Sequence, residues 1–114
     1  MTSTLNLLKI IARILERLIP DAFSEFRMEI QKYFGTIMRI LKERGYTREE
    51  RKKLIRDSGL IEKCRDYDGA QYVMHYDVYD WCNYMMNGYR WPKGDELRKF
   101  AKYDPRLEMM FAHQ

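Results

Sequence analysis

Apolar side chains recur every three or four positions through the first 44 residues, and this spacing restricts the chain to helices that bury one face. The pattern covers residues 4–19 and continues over residues 22–44. The apolar positions are Leu7, Ile11, Ile14, Leu15 and Leu18 in the first segment and Phe23, Phe26, Ile30, Phe34, Ile37 and Leu41 in the second. Two amphipathic helices with such broad apolar faces need a shared core, which predicts an all-α fold.

Capping and breaking residues indicate where these helices begin and end. Pro20 stops the first helix, Asp21 caps the second, and Gly45 ends the second because glycine readily takes the left-handed conformation. Thr47 and Glu50 form a T-x-x-E capping box, which opens a third helix that breaks at a Ser-Gly pair.

Weaker signals indicate further helices in the second half of the chain. A short helical piece is expected over residues 60–65, Asp95 caps another, and Asp104-Pro105 starts the last one. Gly35, inside the second helix, predicts either a kink or a close approach of two helices. With 114 residues the chain has the length of one domain, so we expect a bundle of about five helices over residues 1–114.

Residues 66–91 hold six of the nine tyrosines, both tryptophans and four aspartates. As one helix over residues 70–86, this segment separates an apolar face from a polar one. The apolar face has Met74, Val78, Trp81 and Met85, and the opposite face has Tyr76, Asp77, Asp80, Asn83 and Tyr84. Alternating residues 72–78 also fit a strand and a short β-hairpin. We favour the helix because a lone strand has no evident pairing partner in this chain.

The composition of this segment favours contact with a protein. Tyrosine and tryptophan supply large amphipathic contact area, and aspartate pairs with lysine or arginine of a partner. The predicted protein-binding residues are Tyr76, Asp77, Asp80, Tyr84, Tyr89 and Trp91. The alternative is that the tyrosines complete a small core and the aspartates only solvate it. The leading hypothesis is a non-enzymatic protein that regulates or inhibits a macromolecule, in particular a basic protein of nucleic-acid metabolism.

A basic cluster of opposite sign precedes this segment. Residues 42–56 carry seven basic and three acidic side chains. The predicted nucleic-acid-binding residues are Arg44, Arg48, Arg51, Lys52 and Arg56. Direct binding of DNA or RNA through phosphate contacts is therefore the second hypothesis. The alternative is a solvated charged face that includes a Glu49–Lys53 pair.

The residue types that carry catalysis and metal binding are sparse. Cys64 and Cys82 lack a nearby cysteine partner, which predicts free buried thiols, and a catalytic role for either would need His75 within reach as a base. With His113 they also lack the close ligand pairs of structural zinc. Asp66-x-Asp68-Gly69 begins like a calcium loop but has Gln71 at the loop's glycine position, which favours a turn held by aspartate. We predict no catalytic, metal or cofactor site.

Charged residues also interrupt the N-terminal apolar stretch. Lys9, Arg13 and Arg17 lie within it, and a membrane-spanning helix needs about 20 nearly uncharged residues. A cytoplasmic protein without a membrane segment is therefore expected. Small basic chains of this kind are common among accessory proteins of phages and mobile elements. The first helix or the apolar C-terminal residues 106–111 could also pack across a homodimer.

Overall fold

The computed structural model describes residues 7–11, 13–14 and 24–112, and all of their regular structure is helical. Residues 7–11 and 13–14 form α1. The following elements are α2 (Ser24–Glu43), α3 (Arg48–Ser58), α4 (Leu60–Lys63), α5 (Tyr67–His75), α6 (Val78–Met86), a 3₁₀ helix (Gly94–Phe100) and α7 (Pro105–Ala112). The all-α prediction is confirmed. The β-hairpin is wrong, and the described residues form eight helical segments instead of about five.

Helix α2 carries the centre of the core and packs against α3, α5 and α6. Its predicted apolar face is buried, with Ile30, Phe34, Ile37 and Leu41 fully enclosed. Full burial of such side chains contributes about 1.5–3 kcal/mol each. Gly35 serves a close helix approach, because a β-carbon there would lie 3.1 Å from Cδ2 of Leu8 in α1.

The predicted boundaries around α3 are confirmed. Gly45 follows α2 with φ 97°. The Thr47 hydroxyl accepts from the Glu50 amide at 3.2 Å, and the Glu50 carboxylate accepts from the Thr47 amide at 2.7 Å. Gly59 then ends α3 in the left-handed conformation. The capping interactions join residues at most three positions apart, so the local sequence is enough to predict where α3 begins.

The C-terminal boundaries are only partly as expected. Helix α7 begins at Pro105, as predicted. The preceding segment is a 3₁₀ helix that begins at Gly94 and ends at Phe100, so Asp95 is not its cap. Instead the Glu96 carboxylate accepts from the Lys93 amide at 3.1 Å.

Several expectations fall on residues outside those that the structure describes. They concern the apolar positions Leu15, Leu18 and Phe23, the stop at Pro20, the cap at Asp21 and the candidate ligand His113. Within the described part of α1, the expected face is present, because Leu7 and Ile11 are buried.

The single helix expected over residues 70–86 is wrong. Tyr76 and Asp77 are extended, with φ and ψ of −88° and 151° and of −68° and 149°, and they separate α5 from α6. Asp77 is the N-cap of α6, and Asp80 completes a capping box with it. An N-cap residue has non-helical backbone angles, so this box is incompatible with a continuous helix.

Candidate functional site

The α5–α6 junction is held against α2 by hydrogen bonds from side chains to backbone carbonyl groups at the break. The Tyr33 hydroxyl of α2 donates to the carbonyl oxygens of Val73, at 3.0 Å, and of Tyr76. The indole Nε1 of Trp81 donates to the same Val73 oxygen at 2.8 Å. These bonds fix the junction on α2, and aromatic side chains of α5 and α6 meet beside it.

Five aromatic side chains form a cluster on the buried ring of Trp81, called the aromatic surface below: Tyr72, Tyr76, Tyr84, Tyr89 and Trp91. The first three and Trp91 contact the Trp81 ring directly, and Tyr89 joins them through Tyr84. Trp91 stacks on Tyr76 with ring centroids 5.0 Å apart and lies 4.9 Å from Trp81 and from Tyr84. Rings at these separations attract each other beyond the area they bury. The rings therefore fix one another in a continuous layer.

This layer is open to solvent on one side. Trp81 is 2% exposed, whereas Tyr72 is 47% exposed, and the other four members are half-buried. Half-exposed tyrosine and tryptophan are the residues that most often anchor protein interfaces. Tyr72 was not among the predicted binding residues, although its spacing of four from Tyr76 within the same segment is a signal that could have found it.

The turn that presents Tyr89 is strained. Tyr89 has φ 62° and directly follows Gly88, which has φ 68°. A bulky residue rarely adopts this left-handed conformation. The Asn87 side chain holds the turn by donating to the Arg90 carbonyl at 3.0 Å, and the Tyr89 amide donates to the Tyr84 carbonyl at 2.9 Å. Such strain is concentrated at functional sites.

The two predicted acidic residues have local structural partners. Asp77 is exposed and accepts from the Tyr79 amide at 2.9 Å. Asp80 accepts from the Asp77 amide at 3.1 Å and forms an ion pair with Arg106 at 2.9 Å. Arg106 pairs with Asp80 as well as with Asp104 and so offsets the charge of Asp80 only in part, and Asp77 is the more exposed carboxylate of the two.

A buried polar network lies behind this site, and the sequence did not indicate it. The side chain of Asp104 is 0% exposed and accepts from the Arg106 guanidinium at 2.7 Å and from the side-chain Nδ2 of Asn83 at 2.9 Å. The Arg44 guanidinium completes the network by donating to Asn83 Oδ1 at 2.8 Å. Asn83 was expected on the outer face of α6, but it is 3% exposed.

Burial by itself raises the pKa of Asp104, but its hydrogen bonds and the Arg106 charge outweigh that effect. Arg106 and Asn83 both donate to the carboxylate, and together they hold its pKa below the usual value. The same pairing raises the pKa of Arg106. The carboxylate is thus charged, and it anchors the start of α7 to α6.

Two of the five predicted nucleic-acid-binding residues are used inside the protein. Arg51 is 3% exposed and donates to the Tyr46 carbonyl at 2.7 Å, and Arg44 is half-buried in the polar network. Arg48 and Lys52 are half-buried, and Arg56 is exposed. Only these three, at intervals of four residues, form a shared face on α3.

The cysteines and Asp66 have structural positions. Cys64 and Cys82 are free and buried, and burial raises the pKa of each thiol to about 12, so both stay protonated near neutral pH. Asp66 caps α5 by accepting from the Gly69 amide at 2.7 Å, which is the expected role. The described ranges contain no group of three His, Cys, Asp or Glu side chains placed to hold a metal.

Helix α7 leaves apolar side chains exposed. None of its residues is buried, and Met109 and Met110 are 68% and 45% exposed.

No helix within the part of the chain that the structure describes has the length and apolarity needed to cross a bilayer. In comparisons with known proteins, no protein-family model, curated protein or solved structure matches this chain.

Proposed function

We propose that this chain is a non-enzymatic binding protein that contacts a protein partner through its aromatic surface and regulates or inhibits that partner. The observation that carries the proposal is the half-exposed ring layer around Trp81, presented in part by a strained turn. A core alone needs neither the solvent-facing rings nor the strain at Tyr89.

The partner that suits this surface has a basic face. Arginine and lysine side chains stack on exposed tyrosine and tryptophan rings, and Asp77 adds an exposed carboxylate beside them. Proteins of nucleic-acid metabolism present such basic faces, which makes them the proposed partner class. Compared with the sequence expectation, the rings carry more of the recognition and the aspartates less.

Two exposed tyrosines of α5 give a matched test. Tyr72 belongs to the aromatic surface and is 47% exposed, whereas Tyr67 is 46% exposed and contacts Phe26 instead. Affinity purification from the native cell identifies the partner, and titration calorimetry then measures its Kd. We expect Tyr72→Ala and Trp91→Ala each to weaken binding about 30-fold, as for an interface hot spot of about 2 kcal/mol, and Tyr67→Ala to leave binding unchanged.

Circular dichroism must show that each variant is folded. Equal affinities for the Tyr72 and Tyr67 variants would contradict this location of the interface.

Direct nucleic-acid binding is the second candidate function, and the shared face of Arg48, Lys52 and Arg56 favours it. Three phosphate contacts predict that log K falls with log salt at a slope of about −3. Arg48→Ala with Arg56→Ala should reduce this slope by about 2, while Lys99→Ala on the remote 3₁₀ helix should not change it. A salt-independent mobility shift would argue against this function.

A further inference from the structure

An aliphatic cavity of about 350 Å³ lies beside α1, on the part of the molecule formed with α2, α3 and α4. Its described lining includes four apolar residues of α1, namely Leu7, Ile10, Ile11 and Ile14, together with Met38, Ile55 and Ile61. Ligand pockets in proteins have volumes of about 300–1,000 Å³, so the cavity has room for a small molecule. It is separate from the aromatic surface and contains none of its residues.

The chemistry of the described lining favours an alkyl chain. Its apolar members are aliphatic side chains and one thioether, with no aromatic ring and no neutral hydrogen-bonding side chain. A polar or heterocyclic ligand would therefore lose its hydrogen bonds to water without replacement, which is costly. An unbranched hydrocarbon chain has no hydrogen bonds to water to lose, and its transfer from water into the cavity is favourable.

Charged side chains complete the described lining and indicate the ligand's head group. Lys52 and Arg56 lie one helical turn apart on the same side of α3, and Glu62 is the remaining charged residue. Arg56 contacts Asp57 at 3.4 Å in an exposed pair, while Lys52 has no ion pair among the described residues. The lining thus has a net positive charge, with Lys52 available to an anion.

We propose that this cavity binds the alkyl chain of a long-chain carboxylate, with the carboxylate placed against Lys52 and Arg56. The proposal is independent of the protein-binding function above. The same chemistry could come from a free fatty acid or from the surface of an anionic membrane, and the experiment separates these two sources.

The probe is dodecanoate below its micelle concentration, titrated into the full chain by calorimetry and followed by methyl NMR. Each buried methylene contributes about fourfold in affinity, so octanoate, decanoate and dodecanoate should bind with affinities that rise about 15-fold with each added pair of methylenes. The methyl groups of Ile11, Ile55 and Ile61 should shift, while those of Ile30 and Ile40 in α2 should not, because only the first three line the cavity.

Two adjacent lysines of α3 supply the control. Lys52 lines the cavity and Lys53 is exposed outside it. We expect Lys52→Glu to weaken dodecanoate at least fivefold and Lys53→Glu to leave it unchanged, although both variants make the same change of charge on one helix. Dodecyltrimethylammonium, which has the same chain and a cationic head, should bind at least fivefold more weakly than dodecanoate.

Three results would overturn the proposal. They are equal affinities for the two lysine variants, methyl shifts at Ile30 or Ile40 in place of the cavity residues, and no binding of dodecanoate. If dodecanoate does not bind but anionic phospholipid vesicles do, the third result favours a membrane-surface contact instead. Circular dichroism of each variant establishes that a loss of binding is not a loss of folding.

Discussion

At the scale of single residues, the least replaceable positions are those where backbone approaches backbone or a charge is enclosed. A β-carbon at Gly69 would lie 1.8 Å from the Lys63 carbonyl oxygen. The carboxylate of Asp104 has no exposed surface, and hydrogen bonds from Arg106 and Asn83 stabilise its charged form. The residue type alone predicts neither the close contact nor the enclosed charge, because each depends on the atoms that the fold places beside the residue.

Gly35 of α2 and Gly69 of α5 should therefore respond differently to substitution by alanine. Gly69→Ala forces backbone atoms apart, and we expect it to lower the free energy of unfolding by more than about 2 kcal/mol. Gly35→Ala meets only the flexible end of Leu8 and gains about 1 kcal/mol of helix propensity, so its net effect should be within about 1 kcal/mol of zero. Urea denaturation of both variants measures the difference, and similar losses would be inconsistent with the contact at Lys63.

The Asp104 carboxylate should make stability depend on pH in the acid range. The pKa of this carboxyl is lower in the folded than in the unfolded chain. Its contribution to the free energy of unfolding is therefore complete above its ordinary pKa of about 4, and it is lost as the pH falls through the pKa of the folded state. We expect Asp104→Asn to cost about 1–3 kcal/mol at pH 7 and progressively less below pH 4. Denaturation of both proteins from pH 7 to pH 2 measures this, and a pH-independent difference would disprove the assignment.

At the scale of elements, the ends of helices organise the candidate site. The capping box of Asp77 and Asp80 starts α6 where a continuous helix would otherwise run through. Backbone carbonyls at the break then accept from Tyr33 and Trp81, which holds the junction against α2. The aromatic surface exists because of this break, since the rings of Tyr72 and Trp91 belong to segments on either side of it.

Loss of the cap should weaken this junction, while loss of the charge alone should not. Asp77→Ala removes the acceptor for the Tyr79 amide and should cost about 1 kcal/mol. Asp77→Asn keeps a good N-cap and should cost only a few tenths. The free energy of unfolding from urea titration distinguishes them. If the two variants were equally destabilised, the carboxylate charge and not the cap would be responsible.

At the scale of the whole molecule, one apolar core joins helices α1 to α6. Cys64 follows α4 and Cys82 lies within α6, yet both belong to the same buried apolar cluster as Phe34 and Ile37 of α2. The Arg44–Asn83–Asp104–Arg106 network then connects α7 to α6 and to the segment after α2. Exposure of either thiol to solvent therefore requires disruption of the common core.

The two thiols should consequently report global unfolding. At pH 8 the buried groups, with pKa values of about 12, should react with a disulfide reagent at least about 1,000-fold more slowly than in denaturant. The single variants Cys64→Ala and Cys82→Ala each leave one thiol and should show similar protection. A fast native reaction in only one of them would show that its helix opens independently of the core.

Most helix positions in the described chain could be predicted from the sequence, because their signals are local. The apolar face of α2, the Thr47–Glu50 box and the start of α7 all depend on residues within a few positions of one another. The break at Tyr76 was missed although the Asp77–Asp80 box is equally local, because the apolar spacing continues through it. The segment's composition identified four of the five members of the aromatic surface and missed Tyr72.

The sequence by itself determined the helical class, the core face of α2 and the segment that carries the aromatic surface, since these follow from periodicity, capping and composition. Only the tertiary structure decided which polar residues are enclosed. Arg51 stands in a charged run and Asn83 was expected on the polar face of its segment, yet both are buried. The decisive bonds join residues far apart, as between Asn83 and Asp104, 21 positions apart, or Tyr33 and Val73, 40 positions apart. Such contacts form when helices pack, and no local pattern records them.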